Sequence, residues 1–479
     1  MSEHCGYVVK VNAIRAHSNA DRLQIATFFG NDTCVGVDVK LGDVGVYFPS
    51  DLQLSMEFAE VNNLLRKKDE NGNNIGGYMD PDKRNVTAIK LRGEKSDGLF
   101  LPLKSLESFG DITTLHEGDR IDNFNGHEIC CKYVPKRNVR HGHPSNGNKT
   151  RKKKVPTAPL FAEHVDTEQL AYNLGAFKPG DEIEITLKMH GTSQRTAYLP
   201  VFKGYKDTWA ICVSNAFRHV LSKMTGKDWG EVHGEPIYDW GYVSGTRRTV
   251  LENFDGGYYG SNEFREAHSK FFEGKLNKGE EVFYEVVGFT HTGAPIMATA
   301  DNKKLNDKEF VKQYGKTTTF SYGCSPEGYS TWMPDDNGDY YFMGRTPQSD
   351  IYVYRMTMTN EDGFTVEYTP DFMRYRCEQM GVKTVPVMWN GIIPDGQNGE
   401  IIMNNFTPGN YIKSIAEQFY DGPDPIGKTH VREGVVVRIL NRPKFCAYKH
   451  KNWSFKALEG IVKVEAEVPD MEEAQETNE

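Results

Sequence analysis

Apolar side chains recur in short runs through residues 1–135: Tyr7–Val11, Arg22–Phe29, Thr33–Val39, Val44–Phe48, Val86–Leu91 and Leu99–Leu103. Each run is rich in β-branched or aromatic residues and ends at Gly, Asn, Asp or Ser, as a strand does before a turn. Such a series of short strands with polar turns predicts a small β-barrel. An OB-like barrel fits, although spacing alone does not separate it from other small barrels. From Leu160 to Lys463 the pattern changes. Strand-like runs at Ile183–Leu187, Val282–Val287, Ile351–Met358 and Gly434–Ile439 alternate with helical stretches at Glu263–Leu276 and Tyr411–Phe419. The mixture predicts one α+β domain. No internal repeat is evident.

The segment 136–159 separates the two. Lys136, Arg137, Arg140, His141, His143, Lys149 and Arg151 to Lys154 stand there among Gly, Asn, Ser and Pro. Such a composition buries too little apolar surface to order itself, so a linker is expected. Its charge also suits a phosphate backbone, and both readings stay open. His141 and His143 have no neighbouring Cys or carboxylate to complete a metal site. Residues 464–479, rich in Glu and poor in apolar side chains, read as a solvated acidic tail.

The formal charge of −9 argues against a protein coated all over with nucleic acid, but says little about local patches. No run of 18 apolar residues suggests a membrane span, and the N-terminus lacks the basic and apolar regions of a secretory signal. Eight scattered cysteines without a CxxC pair suggest reduced thiols, neither a disulfide framework nor a zinc site. A soluble cytoplasmic protein is expected, as a monomer.

Chemistry enters at Glu182-Ile-Glu-Ile-Thr-Leu-Lys188-Met-His190-Gly191-Thr192-Ser193, where an alternating run leads into a lysine and a glycine follows. A lysine at a strand end can project into a pocket, where lost hydration and nearby cations favour the nucleophilic free amine. Alone, Lys-x-His-Gly is also what a surface strand–turn junction provides. Further along, Glu285 interrupts the apolar run Val282–Gly288, and Glu433 opens the run Gly434–Arg438. A strand carboxylate of this kind usually has a cation, hydroxyl or metal to pair with. Lys449 and Lys451, at i and i+2, fall on one face of a strand. Two such ammonium groups repel unless an anion, for example a triphosphate, lies between them.

Taken in order, these elements resemble motifs I, III, IIIa, IV and V of the covalent nucleotidyltransferases, the superfamily of DNA ligases, RNA ligases and mRNA capping enzymes. Lys-x-His-Gly-Thr is similar to the RNA-ligase form of motif I, and His164-Val-Asp166-Thr167 resembles the lead-in of those enzymes. A β-rich domain placed first is similar to the Deinococcus-type RNA ligases. The resemblance implies an antiparallel-sheet, ATP-grasp-like nucleotidyltransferase domain over 160–463. It implies ATP as cofactor, held as AMP on Lys188, with Mg²⁺ or Mn²⁺. Its implied substrate is nucleic acid with an RNA 3′-OH end, as in a nicked duplex. His190 and Ser193 match positions used after lysine adenylylation, with serine departing from the more usual Asn. Gly191 belongs to motif I. Arg247 and Arg248 are equal candidates for the motif Ia arginine, because an insertion ahead of them, around 199–242, blurs the match. Glu285 matches a ribose- or metal-binding carboxylate, Tyr354 an adenine-stacking ring and Glu433 a metal-site carboxylate. Lys449 and Lys451 match the motif V pair that neutralises phosphate. A GTP-using capping-type guanylyltransferase and a non-catalytic RNA-binding protein are the alternatives. The first normally carries Lys-x-Asp-Gly and an OB domain after the transferase.

Lys95-Ser96-Asp97-Gly98 spells that DNA-ligase form of motif I. It follows a charged stretch and fits better as a turn between two strands, with Asp-Gly as the turn signal. Lys95→Ala is therefore expected to retain covalent labelling by ATP; loss of the label on the denatured chain would move the nucleophile to Lys95.

Overall fold

In the computed structural model the described residues are 4–133 and 155–463, apart from 51, 69–73, 163, 165–166, 228, 248, 252–253, 255–258, 260–261, 306, 335–337, 339, 396–406 and 460–461. Most of the basic segment 136–159, the acidic tail 464–479, Asp166 and Arg248 lie outside them.

The N-terminal strands form where the sequence pattern puts them, to within a few residues. Gly6–Lys10 pairs antiparallel with Val44–Phe48 and with Arg120–Ile121, and Val44–Phe48 pairs with Leu99–Pro102. Ile14–Ala16, Leu23–Phe28 and Asn31–Gly36 make a separate antiparallel meander. Successive side chains of the first strand enter two cores. Tyr7 and Val9 join Phe28, Val35, Tyr47 and Phe100, whereas Val8 joins Val46, Phe48, Leu54 and Phe58. The expected barrel does not close among the described residues, and the two sheets remain distinct. At the seam between Asn31–Gly36 and Glu94–Ser96, one backbone bond, from Asp97 N to Asp32 O at 2.7 Å, is joined by two bonds that hydroxyls make. Ser96 Oγ accepts from Cys34 N at 2.9 Å, and Thr33 Oγ1 donates to Asp97 O at 2.8 Å.

Two further sheets carry the rest of the chain. In the first, Glu182–Lys188 lies between Gly434–Ile439 and Val387–Ile392, with Ala447–Lys451 beyond Gly434–Ile439. Its apolar side, with Ile183, Ile185, Val435 and Val437, packs on helix Pro408–Phe419 through Ile412 and Ala416. In the second, Thr192–Lys206 pairs antiparallel with Glu235–Gly245 and Glu280–Gly288, and the latter with Ser349–Thr359. The chain passes from one sheet to the other at 189–191, directly after Lys188. The largest core, including Met189, Tyr284, Val286 and Met356, packs against this second sheet.

The helix expected over Glu263–Leu276 ends at Phe271, since the backbone tightens into i→i+3 bonds and Gly274 takes φ 75°. The one expected at Tyr411 starts earlier, at Pro408, where Thr407 caps it and proline fits the first turn. The insertion ahead of Arg247 is a long hairpin carrying the helix Trp209–Thr225 between its strands.

Among the described residues, the contacts that dock the N-terminal part on the rest include three of note. Tyr172 stacks on Tyr7 with ring centroids 5.3 Å apart and meets Phe29 edge-on at 5.5 Å. Val462–Lys463 adds a parallel edge strand to Ala88–Leu91. Lys95 and Ser96 lie in the strand Glu94–Ser96, not in the expected turn, and only Asp97 and Gly98 link it to Leu99–Pro102. This stretch grips helix Trp453–Glu459, with Asp97 Oδ2 2.9 Å from Lys456 Nζ and Lys95 Nζ 5.1 Å from the centroid of the Trp453 ring. Asp97 is buried, its other oxygen accepting from Ser50 Oγ at 2.6 Å. Lys456→Met leaves that carboxylate without its cation and is expected to cost about 2–4 kcal/mol in urea denaturation. Lys95→Ala, which loses one cation–π contact, should cost less than about 1 kcal/mol. Equal losses would show that the buried pair contributes nothing beyond surface packing.

Candidate active site

The alternation of Glu182–Lys188 sets Ile183, Ile185 and Leu187 into core and turns Glu184, Thr186 and Lys188 toward a cavity between the two sheets. Register builds the floor. Lys188 lies opposite Gly434, which lies opposite Lys451; Thr186 lies opposite Val436, which lies opposite Lys449. Lys188, Val436, Arg438 and Lys449 line the cavity from this sheet, and Glu285, Tyr354 and Arg247 line it from the other side.

Behind Lys188 sits a buried ion cluster. Glu433 has no solvent exposure, and its Oε1 lies 2.6 Å from Lys188 Nζ and 3.1 Å from Lys451 Nζ. Lys451 also donates to both oxygens of Glu459, at 2.8 and 3.1 Å. His190 Nδ1 stands 3.8 Å from Glu433 Oε2 and 3.7 Å from Glu459 Oε1, beyond hydrogen-bond range but within reach of both charges. Its ring is held edge-on by Phe320 and Phe455, each with its centroid 4.6 Å away. Tyr322, whose hydroxyl accepts from His190 N at 2.7 Å, is pushed well above the ordinary phenol range by burial and by Glu433. It remains a neutral phenol beside the cluster.

On the opposite wall, Ser193 lies across the ladder from Glu285, and its Oγ is 3.1 Å from the Tyr354 hydroxyl. A bulge in the pairing of Glu280–Gly288 with Ser349–Thr359 leaves Tyr354 as the extra residue, a position where strands re-aim side chains. Burial and then Glu285 push its phenol up to about 12. Gly191 is required by close approach, since a Cβ there would meet Val286 O at 2.4 Å. A Cβ on Gly434 would meet His450 O at 2.1 Å.

The sequence-predicted residues therefore fall into two groups. Lys188, Arg247, Glu285, Tyr354 and Lys449 share the cavity. His190, Glu433 and Lys451 gather behind Lys188, so the two lysines expected to clasp one anion divide, with Lys449 on the cavity and Lys451 held by Glu433 and Glu459. Lys188 joins the groups.

Several site residues were not found from sequence. Glu184, Thr186 and Arg438 were readable from the same period-2 faces as Lys188 and Gly434. Arg374, on helix Pro370–Met380, pairs with Glu184 at 2.7 Å and gave no signal. Neither did Glu459, which a helix of seven residues brings back to Lys451. A ligand atom each from His190, Glu433 and Glu459 lie within 4.8 Å of one another, whereas Glu285, the second expected metal carboxylate, is not in that group. The two carboxylates suit Mg²⁺ or Mn²⁺, and the imidazole does not suit Mg²⁺. Two ammonium groups already balance these carboxylates, so an ion would compete with them.

Solved structures of the Naegleria gruberi RNA ligase match nearly the whole chain. The form with pyrophosphate is 15% identical with a TM-score of 0.52, and the match covers 95% of this chain and 98% of that one. A mutant form with ATP and Mn is 16% identical with a TM-score of 0.51, covering 96% and 98%. This chain shares the fold of that RNA ligase. No family model matches the chain, and no curated protein does. In this fold the cavity and the ion cluster lie where the chain changes sheets, so Lys188 is fixed from both sides.

Removing the shared anion tests the cluster. Glu433→Gln leaves two largely buried ammonium groups short of a counter-charge and is expected to cost about 3–5 kcal/mol in chemical denaturation. Glu459→Gln should cost less, because Lys451 retains Glu433. Equal stability of wild type and Glu433→Gln would show that Lys188 and Lys451 do not depend on it.

Proposed function

We propose that the chain is an ATP-dependent RNA ligase that seals 3′-OH/5′-phosphate breaks through AMP carried on Lys188. The observation that carries this reading is Lys188 itself. It is a largely buried lysine, seated on Glu433, on the floor of a cavity lined by Lys449, Arg247, Glu285 and Tyr354. The fold shared with an RNA ligase, solved with ATP and Mn and with pyrophosphate, supports it.

In the first step the Lys188 amine attacks the α-phosphorus of ATP, a P–N bond forms, and pyrophosphate leaves. AMP then passes to a nucleic-acid 5′-phosphate, and a 3′-OH displaces it to form the new phosphodiester. Such transfers depend on positioning and charge neutralisation more than on acid–base relays. Lys449 and Arg247 are the proposed phosphate partners, and Tyr354, fixed by Ser193, the ring against which adenine stacks. Arg248 remains the alternative to Arg247. Glu433 holds Lys188 at 2.6 Å, and before attack the lysine must give up one N–H proton, to this carboxylate or to solvent, and turn its lone pair toward the cavity. Mg²⁺ or Mn²⁺ held at Glu285 would supply positive charge to the phosphates, whereas at Glu433 an ion would have to displace Lys188 or Lys451. His190 and Lys451 act from behind, by keeping Glu433 in place. The N-terminal strands, read as an OB-like module of the Deinococcus-type arrangement, are proposed to help hold the nicked duplex.

Incubation with α-labelled ATP and Mg²⁺ or Mn²⁺ tests the proposal. Label is expected on the denatured wild-type chain and not on Lys188→Ala. Labelling by GTP instead of ATP would favour a capping-type guanylyltransferase. No label from either, in folded protein free of pre-bound AMP, would favour a non-catalytic RNA-binding protein.

A further inference from the structure

The hairpin formed by Thr192–Lys206 and Glu235–Gly245 carries helix Trp209–Thr225, none of whose side chains is buried. A surface helix normally turns its apolar stripe to the core. This one does the reverse. Asn215 Nδ2 donates to Val232 O at 2.7 Å, and Asn215 Oδ1 accepts from Val232 N at 2.9 Å. Arg218 Nη1 donates to Trp229 O at 3.1 Å, and Ser222 Oγ accepts from Trp229 N at 3.1 Å. These bonds fasten the polar face to the chain that follows and hold the apolar face outward. Trp209, Val213, Phe217, Val220 and Met224 fall within an arc of about 80°. Trp209 is 81% exposed, Met224 78% and Phe217 64%, with the two valines near half.

We propose that this stripe is the interface of a homodimer, in which two copies of the helix pack antiparallel about a two-fold axis. Its sequence is suited to pairing with itself. About the midpoint between Ala216 and Phe217, Trp209 comes level with the partner's Met224, Val213 with the partner's Val220, and Phe217 with the partner's Ala216. Large meets small, and sulfur meets an aromatic ring. The same midpoint sets Lys223 level with Ala210, and Arg218 is turned away on the polar face, so the basic residues do not oppose one another. The five side chains expose roughly 600 Å² per copy, taking ~150–250 Å² for a large apolar side chain. Pairing then removes roughly 1,200 Å², the lower bound of specific interfaces. Val213, Val220 and Met224 offer nothing to a phosphate, so a nucleic-acid strand is a poor occupant. The monomer expected from the sequence leaves this stripe uncovered, and the proposal stands independently of any reading of the cavity.

Light scattering on the full chain, from about 1 to about 100 µM, tests it. The mass should rise from 54.3 kDa toward twice that value. Phe217→Asp and Val213→Asp should hold it at the lower value and leave the melting temperature unchanged at about 1 µM, where the wild type is monomeric, since both sites are exposed. Ala216→Trp adds apolar surface yet should weaken association at least tenfold, because it meets the partner's Phe217. A monomer at every concentration overturns the proposal, whether or not the stripe then binds another protein or lipid vesicles. So does a dimer that Phe217→Asp leaves intact, or one that Ala216→Trp strengthens.

Discussion

Everything in the cavity depends on one carboxylate placed between two ammonium groups. Glu433 has no solvent contact, and a single oxygen serves Lys188 and Lys451. Taking each of these ions out of water costs several kcal/mol. A close contact returns roughly 5 kcal/mol at an effective dielectric near 20. Neither lysine could be held this deep without the shared anion. Glu459 adds the second negative charge, so the cluster is balanced before any ligand arrives. A lysine so held is fixed in position, and its amine is freed only by loss of a proton.

Much of this was legible in the sequence, because strand chemistry is local. The alternation of Glu182–Lys188 announced both the strand and the lysine at its end, and Glu285 stood out as a charge in an apolar run. Lys449 and Lys451 were also found, but their division was not: which neighbour each ammonium meets depends on residues far along the chain. Glu459 was invisible for the same reason. It reaches Lys451 only because Asn452 starts a short helix, its Oδ1 accepting from Phe455 N at 2.7 Å and its backbone N donating to Glu433 O at 3.0 Å. Gly191 was noticed for a different reason from the one that requires it. The sequence suggested a turn, whereas the constraint is the backbone of the Glu285 strand pressed against its Cα.

The N-terminal strands were found individually, yet their assembly was not. Pattern identifies a strand but does not say whether its edge meets a backbone or a hydroxyl, and the seam at Ser96 and Thr33 combines the two. The apolar positions of helix Trp209–Thr225 recur at helical spacing, yet nothing in the sequence says that they point outward. Apolar periodicity reads as a core-facing stripe, and here no core lies beneath it.

The Tyr172 contact has a consequence for dissecting the molecule. Tyr7, Phe29 and Tyr47 would make a surface on which flattened rings could stack, but Tyr172 already occupies it. A fragment cut before residue 160 would uncover those rings together with the unpaired edge of Ala88–Leu91. The complementary fragment would expose Tyr172 and strand Val462–Lys463 away from its sheet. Severing the chain at the basic segment would therefore yield two pieces with sticky faces, and their insolubility would report on the cut, not on the folding competence of either half.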